Sequence, residues 1–352
     1  MDINITKSQN SKISEVDYKN LGFCKYYSDH MFICDYNNGS WKNFRIQPFQ
    51  DLTLSPACTT LHYGQTIFEG LKAYRDSKGK ILIFRPEKNH ERFNKSAERM
   101  CMPTIPKNIF IDSIEELLKI DHNWVPEGEE NSLYIRPISF ALDPYIGIRP
   151  ADNYTFMVIC GMAGGYYSEP VNVKIETKYT RAVSGGVGYS KTAANYAAAL
   201  YPAVKAQKDG YHQLIWTDGK SHEFVEESGT MNLFFVIEDK LVTPPLGDTV
   251  LDGVTRDSII NLSKLLNIDV HVRKVSVNEV ITCLQNGSMK EAFGAGTAAT
   301  IAPIKMIGHN NKNYNLPKIT QNSISNILLS KLSDIKFGKD MKELNWLKTI
   351  SL

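Results

Sequence analysis

Short strand-like segments and short helical segments alternate along this chain without a regular strand–helix–strand repeat. In the first half, KILIFRP and SLYIRPISFA have the composition of strands, whereas HERFNKSAERM and SIEELLKI have the apolar spacing of helices. In the second half, strands predominate, and short polar turns join several of them, which favours antiparallel or mixed pairing over a doubly wound sheet. The pattern therefore predicts an α+β fold.

The length of the chain and one glycine-rich break predict two domains. A chain of 352 residues exceeds the size at which a single hydrophobic core usually stops growing. The segment MAGGYYSEP is dense in glycine and ends in a proline, as interdomain linkers often do. We expect a small α+β domain over residues 1–160, with residues 1–18 mobile, a linker over residues 161–170, and a large domain over residues 171–352.

Charge and composition exclude several classes of function. The 40 Lys and Arg residues nearly balance the 38 Asp and Glu residues, so we expect no nucleic-acid partner. The six cysteines are scattered and the histidines lack zinc-ligand spacing, which predicts free thiols and no metal. The polar amino terminus resembles no signal or transit peptide, and no apolar run is long enough to span a membrane. We expect a cytoplasmic protein whose partners are small molecules.

A lysine and an acid stand in two segments that suggest carbonyl chemistry. Lys191 follows a glycine-rich turn in GGVGYSKTAANY, and a partly desolvated amine is a good nucleophile for an aldehyde. Glu227 lies in EESGTMN, at the start of the apolar strand LFFVI. Pyridoxal phosphate needs a lysine for its aldehyde, an acid for its ring nitrogen and donors for its phosphate. Lys191 alone is weak evidence, however, because most lysines are solvated surface charges.

Two further segments could supply phosphate donors. LDGVTRDS predicts a helix beginning near Val254 or Thr255, and a helix amino terminus presents unpaired N–H groups to an anion. FGAGTAAT is a second glycine-dense turn, and it ends in the hydroxyl of Thr297. An ordinary capped helix and an ordinary tight turn are the alternative interpretations. Neither segment fits the GxxxxGK[ST] or GxGxxG pattern, so the sequence does not favour a nucleotide site.

Seven motifs together resemble the branched-chain aminotransferases of pyridoxal-phosphate fold type IV. In order along residues 20 to 310 they are LHYGQTIFEGLKAYR, HERFNKSAERMCMP, LYIRPISFA, GGVGYSKTAANY, EESGTMNLFFV, LDGVTRDS and FGAGTAATIAP. The resemblance implies a two-domain α+β fold with the cofactor at the domain interface. It also implies transamination between L-leucine, L-isoleucine or L-valine and 2-oxoglutarate by a ping-pong Schiff-base mechanism.

The resemblance assigns roles to residues at matching positions. Lys191 would bind pyridoxal 5'-phosphate covalently and act as the catalytic acid and base, and Glu227 would keep the ring nitrogen protonated. Tyr196 would hydrogen-bond the phenolic oxygen of the cofactor. The phosphate would be bound by Arg92, Val254, Thr255 and Thr297.

The resemblance also implies a substrate pocket that accepts both an aliphatic side chain and the γ-carboxylate of glutamate. Core packing is the alternative for each aromatic residue taken singly. The residues at the matching positions are Phe23, Tyr63, Phe68, Tyr134, Arg136, Thr230 and Ala298. Family members are at least dimeric, so Gly147 and Ile148 are expected to act across the interface of a homodimer or higher homo-oligomer.

The sequence leaves three alternative functions open. A D-amino acid aminotransferase or an aminodeoxychorismate lyase would share the fold, the lysine and the acid, but not the pair YGQTIFEGLKAYR and LYIRP. A non-catalytic pyridoxal-phosphate-binding protein is the alternative outside the enzymes, and the presence of Lys191, Glu227 and Arg92 argues against it.

Overall fold

The computed structural model of this chain describes residues 1–167 and 169–352, so Ser168, within the expected linker, lies outside the described residues. The strands in chain order are β1 (Asn4–Ile5), β2 (Phe23–Asn37), β3 (Ser40–Pro48), β4 (Thr66–Phe68), β5 (Leu71–Arg75), β6 (Ile81–Phe84), β7 (Ser132–Ala141), β8 (Tyr154–Ala163), β9 (Val171–Ile175), β10 (Gln213–Thr217), β11 (Val225–Ser228), β12 (Met231–Ile237), β13 (Lys240–Thr243), β14 (Val270–Val272), β15 (Met289–Gly296), β16 (Thr300–His309), β17 (Lys312–Asn315) and β18 (Leu347–Ile350). The α-helices are α1 (Thr59–Tyr63), α2 (Pro86–Arg99), α3 (Lys107–Ile120), α4 (Ala193–Lys208), α5 (Val254–Leu265), α6 (Val277–Asn286) and α7 (Ile324–Lys336).

The chain divides into two compact units whose boundaries differ from those expected. The first unit comprises Met1–Tyr166, Ser190–Ala193 and Ser333–Leu352, and the second comprises Tyr167–Tyr189 and Ala194–Leu332. The carboxyl-terminal residues, which we expected in the large domain, belong to the first unit because β18 pairs antiparallel with β6.

The amino terminus also differs from the expectation that residues 1–18 are mobile. The short strand β1 pairs parallel with β3, and the N–H of Thr6 donates to the carbonyl of Ile46. The N–H of Ser8 donates to Nε2 of His30 at 2.7 Å. At the other end of the first unit, β8 continues to Ala163, so the first three residues of the expected linker are part of a strand.

The first unit is built on a nine-stranded sheet. Its order is β1-β3-β2-β8-β7-β5-β6-β18, and β4 pairs with β7 beside this path. Helix α2 begins with a proline at its first turn, a position where the missing N–H costs nothing. One face of α2 buries Asn89, Arg92, Phe93, Ser96 and Ala97, at the spacing that puts residues on one side of a helix. Polar side chains are therefore held inside this unit.

The second unit contains a sheet that closes on itself. Six strands pair successively in the order β10-β9-β16-β15-β12-β11, and β11 also pairs with β10. The pairing is mixed, as the polar turns predicted, because β9 is parallel to both β10 and β16 while β12 is antiparallel to its neighbours. The α+β class is confirmed.

None of the helices in residues 1–167 and 169–352 has the length and apolar character that crossing a membrane requires.

Candidate active site

Lys191 lies between the glycine-rich turn and α4, and its main chain is held from two directions. Its N–H donates to Oγ of Ser96 at 2.9 Å, and its carbonyl accepts from the N–H of Phe68 at 3.0 Å. The same Ser96 hydroxyl donates to the carbonyl of Arg92, one turn earlier on α2. The Lys191 ammonium Nζ lies 4.9 Å from the centroid of the Phe68 ring. The amine is thus positioned by the sheet and the helix together.

Arg92 forms a buried ion pair with Glu69, a residue that the sequence interpretation did not single out. Nε of Arg92 lies 2.6 Å from Oε1 of Glu69, and Nη2 lies 2.7 Å from Oε2. Burial raises the pKa of the Glu69 carboxyl, but the charge and hydrogen bonds of Arg92 and the charge of Lys191 outweigh burial and leave the pKa below its usual range. Glu69 is therefore an anion beside two of the expected site residues.

Four of the expected substrate-binding residues form one cluster with Lys191. The guanidinium of Arg136 lies 4.7 Å from the Phe68 ring centroid and 5.3 Å from that of Tyr134. Nη2 of Arg136 donates to the Tyr134 hydroxyl at 3.0 Å. The rings of Tyr134 and Phe23 pack edge to face, with their centroids 4.9 Å apart. The cluster joins apolar ring faces to one guanidinium and one amine.

Tyr63, the fifth expected pocket residue of this unit, is separate from the cluster. It lies on α1 with 44% of its surface exposed, and the centroid of its ring lies 6.2 Å from that of the His62 ring. The short helix α1 ends at Gly64 in the left-handed conformation, which directs the chain away before β4 begins. Within this single chain, an expected pocket role for Tyr63 stays a prediction.

Glu227 lies in the second unit on β11, and donors from three other residues of that unit contact its carboxylate. The side-chain amide of Asn232 and the N–H of Leu251 each donate to Oε1 at 3.0 Å. The guanidinium of Arg181 lies 2.9 Å from Oε2. The carboxylate is almost fully buried, so its position is set by these partners and by the strand itself.

Arg181 and Asn232 connect Glu227 to neighbouring segments of the same unit. Nη2 of Arg181 donates to the carbonyls of Gly188 and Thr249 as well. The Asn232 amide donates to the carbonyl of Leu251 at 2.9 Å. Asn232 stood in the motif EESGTMN without an assigned role, whereas nothing local in the sequence marks Arg181. Only the tertiary contact with Glu227 identifies it.

The expected phosphate donors Val254 and Thr255 form the first turn of α5, as the sequence predicted for the helix start. Both residues are buried, and the preceding Gly253 provides no side-chain cap for the N–H groups of that turn. A Cβ on Gly253 would lie 1.8 Å from Oδ1 of Asn232. Glycine is therefore needed there, because it lets the main chain approach Asn232 closely.

The remaining expected residues of the second unit occupy turns and a helix face. Thr297 and Ala298 lie in the turn between β15 and β16, and Thr230 is exposed in the turn between β11 and β12. Tyr196 is half-buried on α4. Their roles toward cofactor and substrate stay predictions.

Comparison with known proteins places the chain in a family. A family model for amino-transferase class IV matches residues 66–307. Branched-chain-amino-acid transaminase 1 of Bacillus subtilis is 41% identical over 335 residues, covering 94% of this chain and 94% of that protein.

Two crystal structures share the fold at lower sequence identity. The branched-chain aminotransferase of Thermoproteus uzoniensis with norvaline is 24% identical and gives a TM-score of 0.76, covering 92% of this chain and 100% of that one. The branched-chain amino acid aminotransferase of Thermobaculum terrenum in its PLP form is 21% identical and gives a TM-score of 0.75, covering 93% of this chain and 100% of that one. The family match over most of the chain and the 41% identity to a relative that is covered over 94% of its length lead to one conclusion: this chain belongs to the class IV aminotransferases.

Proposed function

We propose that this chain transfers the amino group between L-leucine, L-isoleucine or L-valine and 2-oxoglutarate, producing branched-chain 2-oxo acids and L-glutamate. The cofactor is pyridoxal 5'-phosphate, on which class IV aminotransferases depend. The Bacillus subtilis relative that this chain matches almost throughout is named for branched-chain amino acids. A D-amino acid aminotransferase or an aminodeoxychorismate lyase is not favoured.

The residues present fit this cofactor. The uncapped first turn of α5 offers N–H groups suited to a phosphate, and Gly253 keeps a side chain out of that turn. Buried Arg92 suits the phosphate dianion, and Glu227 supplies the carboxylate that a pyridinium nitrogen requires. Lys191 would bind the aldehyde, Tyr196 the phenolic oxygen, and Thr297 the phosphate.

When bound, pyridoxal phosphate supplies an aldehyde that condenses with amines and a ring that accepts electrons from the substrate's α-carbon. Nζ of Lys191 would anchor the aldehyde and then move the proton at the α-carbon of the substrate. Glu227 would keep the ring nitrogen protonated, and Arg181 and Asn232 would hold Glu227 in place. Thr230 and the main chain at Ala298 would orient the α-carboxylate.

The observation that carries the substrate assignment is the cluster of Phe23, Phe68, Tyr134 and Arg136, which reaches Lys191 through the ring of Phe68. Aromatic faces suit the aliphatic side chains of leucine, isoleucine and valine. The second half-reaction brings a γ-carboxylate to the same place, and the Arg136 guanidinium with the Tyr134 hydroxyl can bind it. One pocket can therefore accept both substrates.

The proposal includes a homodimer or larger homo-oligomer in the cytoplasm. The loop of Tyr145, Ile146 and Ile148 supports it, because Ile148 is 94% exposed and large apolar side chains in an exposed loop favour coverage by another subunit. Gly147, in the same loop, and Ile148 would then act on the partner's site.

The test is a paired activity assay on the purified protein reconstituted with pyridoxal 5'-phosphate. L-leucine with 2-oxoglutarate should give L-glutamate, and D-alanine with 2-oxoglutarate should give none. Product from D-alanine alone would support the D-amino acid alternative. No product from either donor, with cofactor bound, would support a non-catalytic binding protein.

A further inference from the structure

Glu69 is a buried carboxylate whose bonding partners all belong to the first unit. Its side chain is fully buried. Four hydrogen bonds reach it: two from Arg92, one from the Asn89 amide at 2.8 Å and one from the N–H of Gly70 at 3.1 Å. A carboxylate so thoroughly bonded is fixed in orientation and imposes its geometry on its partners.

The main chain of Glu69 is fixed as firmly as its side chain. Its N–H donates to the carbonyl of Pro137 on β7 at 2.8 Å. The preceding residue, Phe68, donates to the carbonyl of Lys191 at 3.0 Å. The end of β4 thus holds the main chain of Lys191 through Phe68 and the guanidinium of Arg92 through Glu69.

Helix α2 also contacts the main chain of Lys191, through Ser96. Arg92 and Ser96 lie one turn apart on its buried face, and the Ser96 hydroxyl bonds both the carbonyl of Arg92 and the N–H of Lys191. Glu69 binds Nε and Nη2 of Arg92, which are two adjacent nitrogens of a planar group. Fixing those two nitrogens fixes the plane of the guanidinium and directs Nη1 to acceptors other than Glu69.

We propose that Glu69 is a positioning residue for the cofactor phosphate: it orients the Arg92 guanidinium at a fixed place relative to Lys191. This inference rests on the proposed function, in which Arg92 binds the phosphate and Lys191 the aldehyde of one cofactor. Glu69 acts through Arg92 and contacts neither reacting atom. Its loss should weaken binding of the phosphate and leave recognition of the rest of the cofactor intact.

The test compares the affinity of the apoenzyme for pyridoxal 5'-phosphate with its affinity for pyridoxal, which lacks the phosphate. Absorbance titrations give both dissociation constants for wild type, Glu69→Gln, Arg92→Met and the double variant. Glu69→Gln should weaken pyridoxal phosphate binding by about tenfold or more and change pyridoxal binding less than about threefold. The double variant should match Arg92→Met, because Glu69 acts only through Arg92.

Asn89→Ala is the matched control, because it removes one donor to Glu69 and leaves both bonds to Arg92. It should keep the wild-type preference for pyridoxal phosphate over pyridoxal. If Glu69→Gln does not fold, Glu69→Asp, which retains the charge but withdraws it by one methylene, should show a smaller loss that is still selective for the phosphate form.

Each contrary result has a distinct meaning. Equal weakening of both ligands in Glu69→Gln, or no weakening, overturns the positioning role. A phosphate-selective loss in Arg92→Met without one in Glu69→Gln overturns this inference and leaves the proposed function intact. An unchanged preference in Arg92→Met overturns the phosphate assignment of Arg92, and the role of Glu69 falls with it.

Discussion

Two adjacent acids on β11, Glu226 and Glu227, lie in different surroundings, and only one of them is expected to take part in the chemistry. Successive side chains of a strand point to opposite faces, so Glu226 and Glu227 face different surroundings. Glu227 is paired with Arg181, whereas Glu226 accepts from the Thr249 hydroxyl at 2.5 Å. Burial raises the pKa of Glu226 more than that hydrogen bond lowers it. Only Glu227 has a role in the proposed transamination.

Replacing the two acids singly tests this separation. Glu227→Gln should lower kcat for L-leucine by about 100-fold or more, because a neutral amide cannot stabilise the positive charge on the ring nitrogen. Glu226→Gln is the control and should keep kcat within about threefold, since an amide can still accept from Thr249. Steady-state assays with saturating cofactor measure both. Equal losses in the two variants would contradict the role of Glu227.

At the scale of elements, the turn before α5 connects Glu227 to Val254 and Thr255, the expected phosphate donors. Asn232 on β12 bonds Glu227 and the carbonyl of Leu251, and Gly253 packs directly against it. The sequence predicted the start of α5 correctly because the turn LGDTVLDG and the helical spacing after it are local signals. It did not reveal the contact between Gly253 and Asn232, which depends on how two distant segments pack.

A methyl group at Gly253 tests that contact. Gly253→Ala should displace Asn232, destabilise the apoenzyme by about 1–3 kcal/mol and weaken binding of pyridoxal phosphate. Gly247→Ala, in the same loop, is the control, since a Cβ there meets no atom within 4 Å. Thermal unfolding and cofactor titration measure the two effects. If Gly253→Ala behaves as Gly247→Ala does, the close approach is not required.

At the scale of the whole molecule, the sequence predicted the α+β class, the strand-rich second half and the segments that carry Lys191 and Glu227. Local periodicity and short motifs were sufficient for these. The return of β18 to β6 and the Arg92–Glu69 pair were missed because both join residues far apart in the chain, and no local pattern identifies the partner. For Tyr63 the motif predicted a place in the substrate pocket. In the single chain Tyr63 lies on α1, apart from the cluster of Phe23, Phe68, Tyr134 and Arg136.

The whole molecule also carries a buried lysine outside the site. Lys336, at the end of α7, has its ammonium 5.8 Å from the Tyr74 ring centroid and 5.5 Å from that of Phe84. Burial lowers the pKa of Lys336 to about 7, and the charge of Lys72 contributes to this shift. The unfolded chain therefore binds more protons than the folded one between neutral pH and the ordinary lysine pKa, so this group makes stability rise with pH.

Raising the pH from about 7 to about 9 should stabilise the apoenzyme by about 2 kcal/mol through Lys336 alone. Lys336→Met should remove that part of the pH dependence, because methionine does not titrate. Exposed Lys312→Met is the control and should leave the slope unchanged. Urea unfolding at both pH values measures the difference. An unaltered slope in Lys336→Met would show that the ammonium is not penalised in the folded state.

The most direct test of the proposed chemistry is a spectral titration with L-leucine. The protein reconstituted with pyridoxal 5'-phosphate should be yellow, lose that colour as L-leucine is added and recover it with 2-oxoglutarate. Lys191→Ala should lack both the wild-type absorbance and turnover. A wild-type protein that stays colourless with the cofactor, or a Lys191→Ala variant that transfers amino groups at the normal rate, would contradict the assignment of Lys191.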